Sequence, residues 1–183
     1  KITRNNTDTY QERIFMIALK ITEVKDFMNK FLCQDVFDHF LLQEATIQTN
    51  AIYHINGTLQ SDFYTEEELE EQQLSGLAFL PYGLLRNQCF QIIRGKKTPS
   101  SFKFSLLLSP ENLKRTLSKT GSSYTEQDIS AVFLNVRFQN GILTLITGIS
   151  YRIFSTDKTL EHEWDALLKL FLKKHAIDFE EQQ

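Results

Sequence analysis

The sequence predicts an α+β protein in which helices pack on one face of an antiparallel β-sheet. The first observation is an alternating run over residues 129–149 with Asn140-Gly141 at its centre. Asn-Gly is the strongest short signal for a two-residue hairpin, because both turn residues must adopt a positive φ. The second observation is that extended segments alternate along the chain with segments of helical apolar spacing. Together they favour a sheet with one buried face and one polar face.

The predicted turn fixes the register of the hairpin outward from Gln139 opposite Ile142. Seven of the eight residues on the predicted core side are apolar: the pairs are Phe138 with Leu143, Val136 with Leu145, Leu134 with Thr147, and Val132 with Ile149. The other side carries Gln139, Arg137, Asn135, Thr144 and Ser150. Turn chemistry and binary pattern therefore predict the same register.

The first half of the chain reads as strand, helix and paired strands. Residues 1–15 are predicted to be an extension, and Met16 to open the first strand of a single domain, 16–180. Thr22 is predicted to cap a helix, since apolar residues recur at helical spacing from Val24 to Leu32. Extended segments follow at 45–49 and 52–55, and Asn56-Gly57 is predicted to be a second hairpin turn.

The second half begins with a capping box, Thr65 with Glu68, which starts a short acidic helix. Pro81 is predicted to open a helix that buries Cys89, and 102–108 reads as a strand. Ser109 and the proline after it predict another helix start, and Thr156 or Asp157 is predicted to cap the last helix. The stripe of that last helix is predicted to be buried: Leu160, Trp164, Leu167, Leu168 and Phe171.

The order strand, helix and paired strands occurs twice, which predicts pseudo-repeats over 16–60 and 102–150. Phe27 and Phe31 correspond to Leu113 and Leu117 in this alignment, and the two Asn-Gly dipeptides also correspond. The element order resembles one domain of a DNA sliding clamp. This resemblance is topological and implies a fold, not an activity.

At the level of short segments, the chain resembles a clostridial family of uncharacterised domains, which implies a bacterial protein. The segments concerned are 44–47 (EATI), 55–59 (INGTL), 62–64 (DFY), 85–99 (LRNQCFQIIRGKKTP) and 157–165 (DKTLEHEWD). They extend over nearly the whole chain. The resemblance supplies no catalytic residues and no activity.

Composition excludes several classes of protein. The chain has 183 residues, 42% of them hydrophobic, and a net charge of −3, which argues against a polyanion binder that is basic throughout. No apolar run reaches the roughly 18 residues of a membrane span. The two cysteines form no CxxC, so reduced, buried thiols and a cytoplasmic location are predicted. Nucleotide-loop, hydrolase and zinc-protease motifs are absent from the sequence, and no catalytic residue or cofactor is predicted.

Two groups are candidates for a divalent cation: Asp35 with Asp38 and His39, and residues 161, 162 and 165 of the last helix. In the second group His162 is rotated about 100° from Glu161, so a three-ligand site needs another residue. Solvated surface side chains explain both groups, and no metal site is predicted. Cys89 on its apolar stripe is predicted to be an inert core thiol rather than a nucleophile.

Charge is most uneven between residues 81 and 119, where eight basic residues accompany one acid, Glu111. The candidate polyanion-binding residues are Arg86, Arg94, Lys96, Lys97, Lys103, Lys114, Arg115 and Lys119. Phosphate contacts by these residues predict sequence-independent nucleic-acid binding. Two alternatives stay open: the residues pair with the acidic helix at 66–71 or are solvated, and the protein is an interaction module that binds a protein partner or forms a homo-oligomer. Enzymatic activity is the least favoured of these hypotheses.

Overall fold

The computed structural model describes residues 13–121, 123–154 and 156–182. Within them the strands are β1 (Arg13–Ile21), β2 (Leu41–Gln48), β3 (Ile52–Asn56), β4 (Ser101–Leu107), β5 (Ile129–Gln139), β6 (Ile142–Tyr151) and β7 (Phe179–Gln182). The α-helices are α1 (Val24–Cys33), α2 (Glu66–Glu71), α3 (Tyr82–Ile93), α4 (Pro110–Thr120) and α5 (Thr159–Lys174). The strands form one sheet in the order β3-β2-β4-β5-β6-β1-β7, and each neighbouring pair is antiparallel. The α+β prediction is confirmed.

The predicted hairpin is the centre of this sheet. Asn140 and Gly141 have φ values of 53° and 77°, as a type I′ turn requires. Gln139 lies opposite Ile142, and the four predicted core pairs have the predicted register. Local turn chemistry therefore sets the register of the two longest strands.

One face of the sheet is covered by helices, and its core is rich in aromatic rings. Phe31 stacks on Tyr82 with ring centroids 4.8 Å apart and meets Phe104 edge-on at 5.0 Å. The Tyr82 hydroxyl donates to the Phe31 carbonyl at 3.1 Å. On α5, Trp164 is buried as predicted, and its indole Nε1–H donates to the carbonyl of Phe133 at 3.1 Å. Each buried polar end of these rings therefore has a hydrogen-bond partner.

The other face is partly covered by the segment between β3 and α3. Leu77 and Phe79 of this segment pack against Leu41, Leu107 and Phe133, which point away from the helices. Phe133 lies over Gly148 on β6, where an added Cβ would approach its ring to 2.1 Å. Toward the Asn140-Gly141 turn, Lys103 and Arg137 on this face are exposed.

The predicted turn at Asn56-Gly57 is wrong. Residues 49–51 join β2 to β3, with the Thr49 N–H donating to the Ala51 carbonyl at 2.9 Å. Gly57 instead lies against β2, where a Cβ would be 1.8 Å from the carbonyl oxygen of Leu42. The glycine is there for close backbone approach, not for a positive φ.

Helix starts follow the predicted caps in part. Thr65 and Glu68 form both bonds of the capping box, and the Ser109 hydroxyl accepts from the Asn112 N–H. Two other caps were wrong. Glu23, not Thr22, precedes α1 and makes no side-chain cap, and Lys158 precedes α5. Asp157 still accepts from the Thr159 N–H at 2.9 Å, one residue from its predicted role.

The first and last strands were not fully predicted, and the domain boundaries 16–180 stay a prediction. Strand β1 begins at Arg13, three residues inside the predicted extension 1–15, and pairs with β6. Residues 1–12 lie outside the described residues. Strand β7 was not predicted; its four residues pair with β1 and form one edge of the sheet.

The two predicted pseudo-repeats, 16–60 and 102–150, share their element order but not their sheet positions. Strand β4 pairs with β5 of its own unit, whereas β1 pairs with β6 of the other unit and is separated from β2 by three strands. A duplication within the chain stays a prediction.

Candidate functional site

Arg86, the first of the predicted basic residues, is neutralised within the fold. Its Nε and Nη2 donate to Oδ1 and Oδ2 of Asp38 at 2.7 and 3.0 Å, and both side chains are largely buried. The Asp38 carboxylate raises the pKa of the Arg86 guanidinium. This bidentate ion pair fixes α3 against the segment that follows α1.

Lys114, Arg115 and Lys119 are exposed on α4, after the end of β4. Arg115 donates to Glu111 at 2.8 Å in an i,i+4 pair that is open to solvent. Exposed pairs of this kind contribute little to stability and are screened by salt. Arg115 and Lys119 are one helical turn apart and share a face, while Lys114 is rotated away from it.

The loop with Arg94, Lys96 and Lys97 precedes β4 and is exposed. The loop and α4 therefore lie at opposite ends of a seven-residue strand. A strand rises about 3.3 Å per residue, so roughly 20 Å of sheet separates the two groups. The predicted basic segment is divided into two surfaces.

Lys103 belongs to the loop's end of the sheet and lies on the face opposite the helices. It alternates with the buried Phe102 and Phe104, and Arg137 of β5 is directly opposite it. Both side chains are exposed, and among the described residues neither forms an ion pair. Like charges placed directly opposite one another on neighbouring strands destabilise a sheet by roughly 0.2–1 kcal/mol.

The pair lies within one row of side chains that crosses all seven strands. The row runs from β3 to β7 and consists of His54, Thr46, Lys103, Arg137, Thr144, Lys20 and Glu180. Its single acid, Glu180, is at the far edge and pairs with Lys20 at 3.8 Å. We call this exposed surface the basic row. Its centre carries two adjacent positive charges and no counter-charge among the described residues.

Arg137 and Lys20 were missed as candidates because they lie outside the basic segment in sequence. The alternation of β5 places Arg137 on the polar face, as the sequence predicts. The pairing of β4 with β5, which brings Arg137 opposite Lys103, carries no local sequence signal. Only the sheet order brings the two cations together.

On the helix side, α4, α5 and the segment after α1 enclose a cleft of about 390 Å³. Its floor is apolar and consists of Phe40, Leu108, Trp164, Leu167, Leu168 and Phe171. Its polar rim includes Arg115, Lys119 and Lys174, together with His39. No described acid lines this cleft, although the chain as a whole is acidic. We call it the α4–α5 cleft.

Asp35 of the candidate cation groups is exposed, and the other carboxylates are engaged elsewhere. Asp38 binds Arg86, Glu161 is buried with the Tyr151 hydroxyl 3.4 Å away, and Asp165 accepts from Thr147 at 2.7 Å. Burial raises the pKa of the Asp165 carboxyl. Among the described residues, no three His, Cys, Asp or Glu side chains are grouped so as to hold a metal ion.

The two thiols differ in their surroundings. Cys89 is fully buried as predicted, and burial raises the pKa of its thiol to about 12. A thiol with such a pKa is protonated at neutral pH and is a poor nucleophile. Cys33 is exposed at the end of α1, so the prediction of two buried thiols was wrong for this residue.

Comparison with known proteins gives a family. Residues 30–180 match the model of DUF5721, a family of unknown function. The chain belongs to this family. The part that matches DUF5721 contains the α4–α5 cleft and, in the basic row, Lys103 and Arg137. No curated protein and no solved structure matches the chain.

The DUF5721 match confirms the predicted resemblance to a family of uncharacterised domains. A clostridial origin and a likeness to a sliding-clamp domain stay predictions. Among the helices described, none is long and apolar enough to cross a membrane.

Proposed function

We propose that this DUF5721 protein acts by binding rather than catalysis, and that it engages nucleic acid through the basic row. The observation that carries the proposal is the direct opposition of Lys103 and Arg137 on an exposed sheet face. A phosphate bound between the two side chains would replace their repulsion with two charge-assisted hydrogen bonds. The unliganded pair is destabilising, so a functional reason for it is favoured over a structural one.

The surroundings of the pair suit a phosphate backbone better than a single anion. Lys96 and Lys97 belong to the loop at the same end of the sheet, because Ser101 at the start of β4 pairs with Gln139 at the end of β5. Neighbouring strands are about 4.8 Å apart, so Lys103 and Arg137 are one strand spacing apart and Lys20 is two strands beyond Arg137. Lys20 and His54 extend the row on either side.

This proposal uses part of the basic segment that the sequence indicates. Arg94, Lys96, Lys97 and Lys103 contribute, and Arg86 does not because Asp38 neutralises it. The residues of α4 lie at the other end of the sheet and are not part of this surface. A cytoplasmic location, where nucleic acid is accessible, belongs to the same proposal.

Fluorescence anisotropy with labelled single-stranded and duplex oligonucleotides at low salt tests the proposal. Affinity should be sequence-independent, and on duplex DNA its logarithm should fall by roughly 0.9 per phosphate contact for each tenfold rise in salt. Lys103→Glu with Arg137→Glu should abolish binding, and Lys96→Glu with Lys97→Glu should weaken it severely.

The matched control is Lys114→Glu with Lys25→Glu, which changes net charge equally at exposed lysines on α4 and α1. Retention of binding by this control and its loss in the Lys103 and Arg137 variant support the proposal. Equal losses in both variants would mean that net charge, not the basic row, drives association. No binding by the unaltered protein would end the nucleic-acid proposal.

A second candidate function, a protein-interaction module, is favoured by one edge of the sheet. Strand β3 is an edge strand, and its Ile52 and Tyr53 are 60% and 38% exposed. Unpaired edges with apolar side chains are templates for strand addition by a partner or a second copy. A stable stoichiometric oligomer in light scattering that Tyr53→Lys dissociates, without nucleic-acid binding, would favour this function.

A further inference from the structure

We infer that the α4–α5 cleft is a binding site for a small amphipathic carboxylate, of which a medium-length fatty acid is the simplest example. The cleft lies on the helix side of the sheet, so this site is separate from the basic row and does not depend on the nucleic-acid proposal. Its size, its apolar floor and the charge of its rim support the inference independently.

The floor is preformed by packed rings. Phe171 meets Phe40 edge-on, with ring centroids 5.9 Å apart, and Phe37 at 5.3 Å. Trp164 is fixed by its hydrogen bond to the Phe133 carbonyl, so its indole N–H is not available to a ligand. The Thr116 hydroxyl likewise donates to the Asn112 carbonyl at 2.8 Å. The interior of the cleft therefore offers apolar contact and few hydrogen bonds.

The rim supplies positive charge from two helices. Lys119 at the end of α4 and Lys174 at the end of α5 both border the cleft, and neither forms an ion pair among the described residues. Among the described residues Arg115 forms an ion pair only with Glu111, and a ligand carboxylate can replace this exposed pair. An anionic head group at the mouth of the cleft is therefore favoured over a cationic or neutral one.

The volume of the α4–α5 cleft suits a small molecule better than a protein segment. About 390 Å³ lies at the lower end of the roughly 300–1,000 Å³ usual for ligand pockets, which combine apolar walls with a few polar groups. A hydrocarbon chain would lie on Trp164, Leu167 and Phe171, and its carboxylate would reach Lys119 or Lys174.

Trp164 makes the test direct, since it is the single tryptophan of the chain and part of the cleft floor. Decanoate, added below its micellar concentration, should change Trp164 emission saturably, and calorimetry should give the same affinity. Decyltrimethylammonium has the same chain length and the opposite charge, and it should cause no saturable change. Far-UV circular dichroism checks that neither amphiphile unfolds the protein.

Two pairs of lysines give a matched comparison. Lys119→Gln with Lys174→Gln should weaken decanoate binding about tenfold, the effect of losing one charge-assisted hydrogen bond. Lys114→Gln with Lys173→Gln changes the same two helices outside the cleft and should leave the affinity unchanged. Comparable binding of the cationic amphiphile would overturn the inference, as would equal weakening in both variants. If neither fluorescence nor calorimetry detects saturable decanoate binding by the unaltered protein, the inference is also overturned.

Discussion

Gly57→Ala should be strongly destabilising, for a reason unrelated to turn geometry. Gly57 is buried between β2 and residue 80. Its N–H donates to the Gln43 carbonyl at 3.0 Å, and its carbonyl accepts from the Leu80 N–H at 2.8 Å. A Cβ at this position would be 1.8 Å from the Leu42 carbonyl oxygen, whereas real Cβ atoms keep about 3.0 Å. The backbone must move by more than about 1 Å to accept a methyl group, and neither hydrogen bond survives such a shift.

The expected loss follows from those two hydrogen bonds. Each buried backbone group left without a partner costs about 1–3 kcal/mol, so Gly57→Ala should lower the free energy of unfolding by roughly 2–6 kcal/mol. Gly141→Ala has open space around its Cβ but retains a φ of 77°. An alanine in that left-handed conformation costs about 1–2 kcal/mol. At Gly95 there is neither a close atom nor a positive φ, so Gly95→Ala should change stability by less than about 0.5 kcal/mol.

Urea denaturation of the three variants at one pH, followed by circular dichroism, measures this order. The reasoning requires Gly57→Ala to be less stable than Gly141→Ala, and Gly141→Ala to be less stable than Gly95→Ala. A Gly57→Ala protein as stable as the Gly95 control would refute the close approach of Gly57 to β2, and with it the path of the segment that covers the second face.

Three further predictions concern single side chains. Trp164→Ala should lower stability by about 3–5 kcal/mol, and the emission maximum of the unaltered protein should be shifted to the blue of free indole. Asp165→Asn should raise stability at pH 7, because burial raises the pKa of the folded-state carboxyl and its ionisation opposes folding; Asn still accepts from Thr147. The gain should disappear below the unfolded pKa of 3.8, where both states are protonated, and urea titrations at pH 7 and pH 3.5 check this. Lys103→Thr should raise the free energy of unfolding by roughly 0.2–1 kcal/mol by relieving repulsion with Arg137, measured as a slightly higher thermal midpoint, while it weakens oligonucleotide binding.

Features fixed by neighbouring residues were predictable from the sequence. The register around Asn140-Gly141 follows from turn chemistry, and the burial of Trp164 and Cys89 follows from helical spacing. The capping box at Thr65 is equally local, since its two hydrogen bonds connect residues three apart. In each case the residues that decide the structure are adjacent or one helical turn apart.

Features that depend on distant strands were not predictable. Asn56-Gly57 is the same dipeptide as the Asn140-Gly141 turn. Its glycine, however, is required by the close approach of the Leu42 backbone, fifteen residues earlier. Strand β7 is short and mostly polar, and it forms by pairing with the edge of β1. For the same reason the candidate polyanion site was predicted as one continuous segment. In the structure, Lys103 of β4 lies directly opposite Arg137 of β5, a residue outside that segment.

The two proposed sites should respond independently to mutation, because the sheet stands between them. Lys103 and Arg137 lie on the face away from the helices, near the end of β5, whereas Lys119 and Lys174 border a cleft on the helix side at the other end of β4. Substitutions more than about 10 Å apart that share no partner have additive free energies within about 0.5 kcal/mol. A protein carrying both Lys103→Gln and Lys119→Gln should therefore lose oligonucleotide and decanoate affinity by the amounts of the single variants. Non-additivity in either titration would mean that one ligand reaches both surfaces, and it would favour a single extended polyanion that wraps the edge of the sheet over two separate sites.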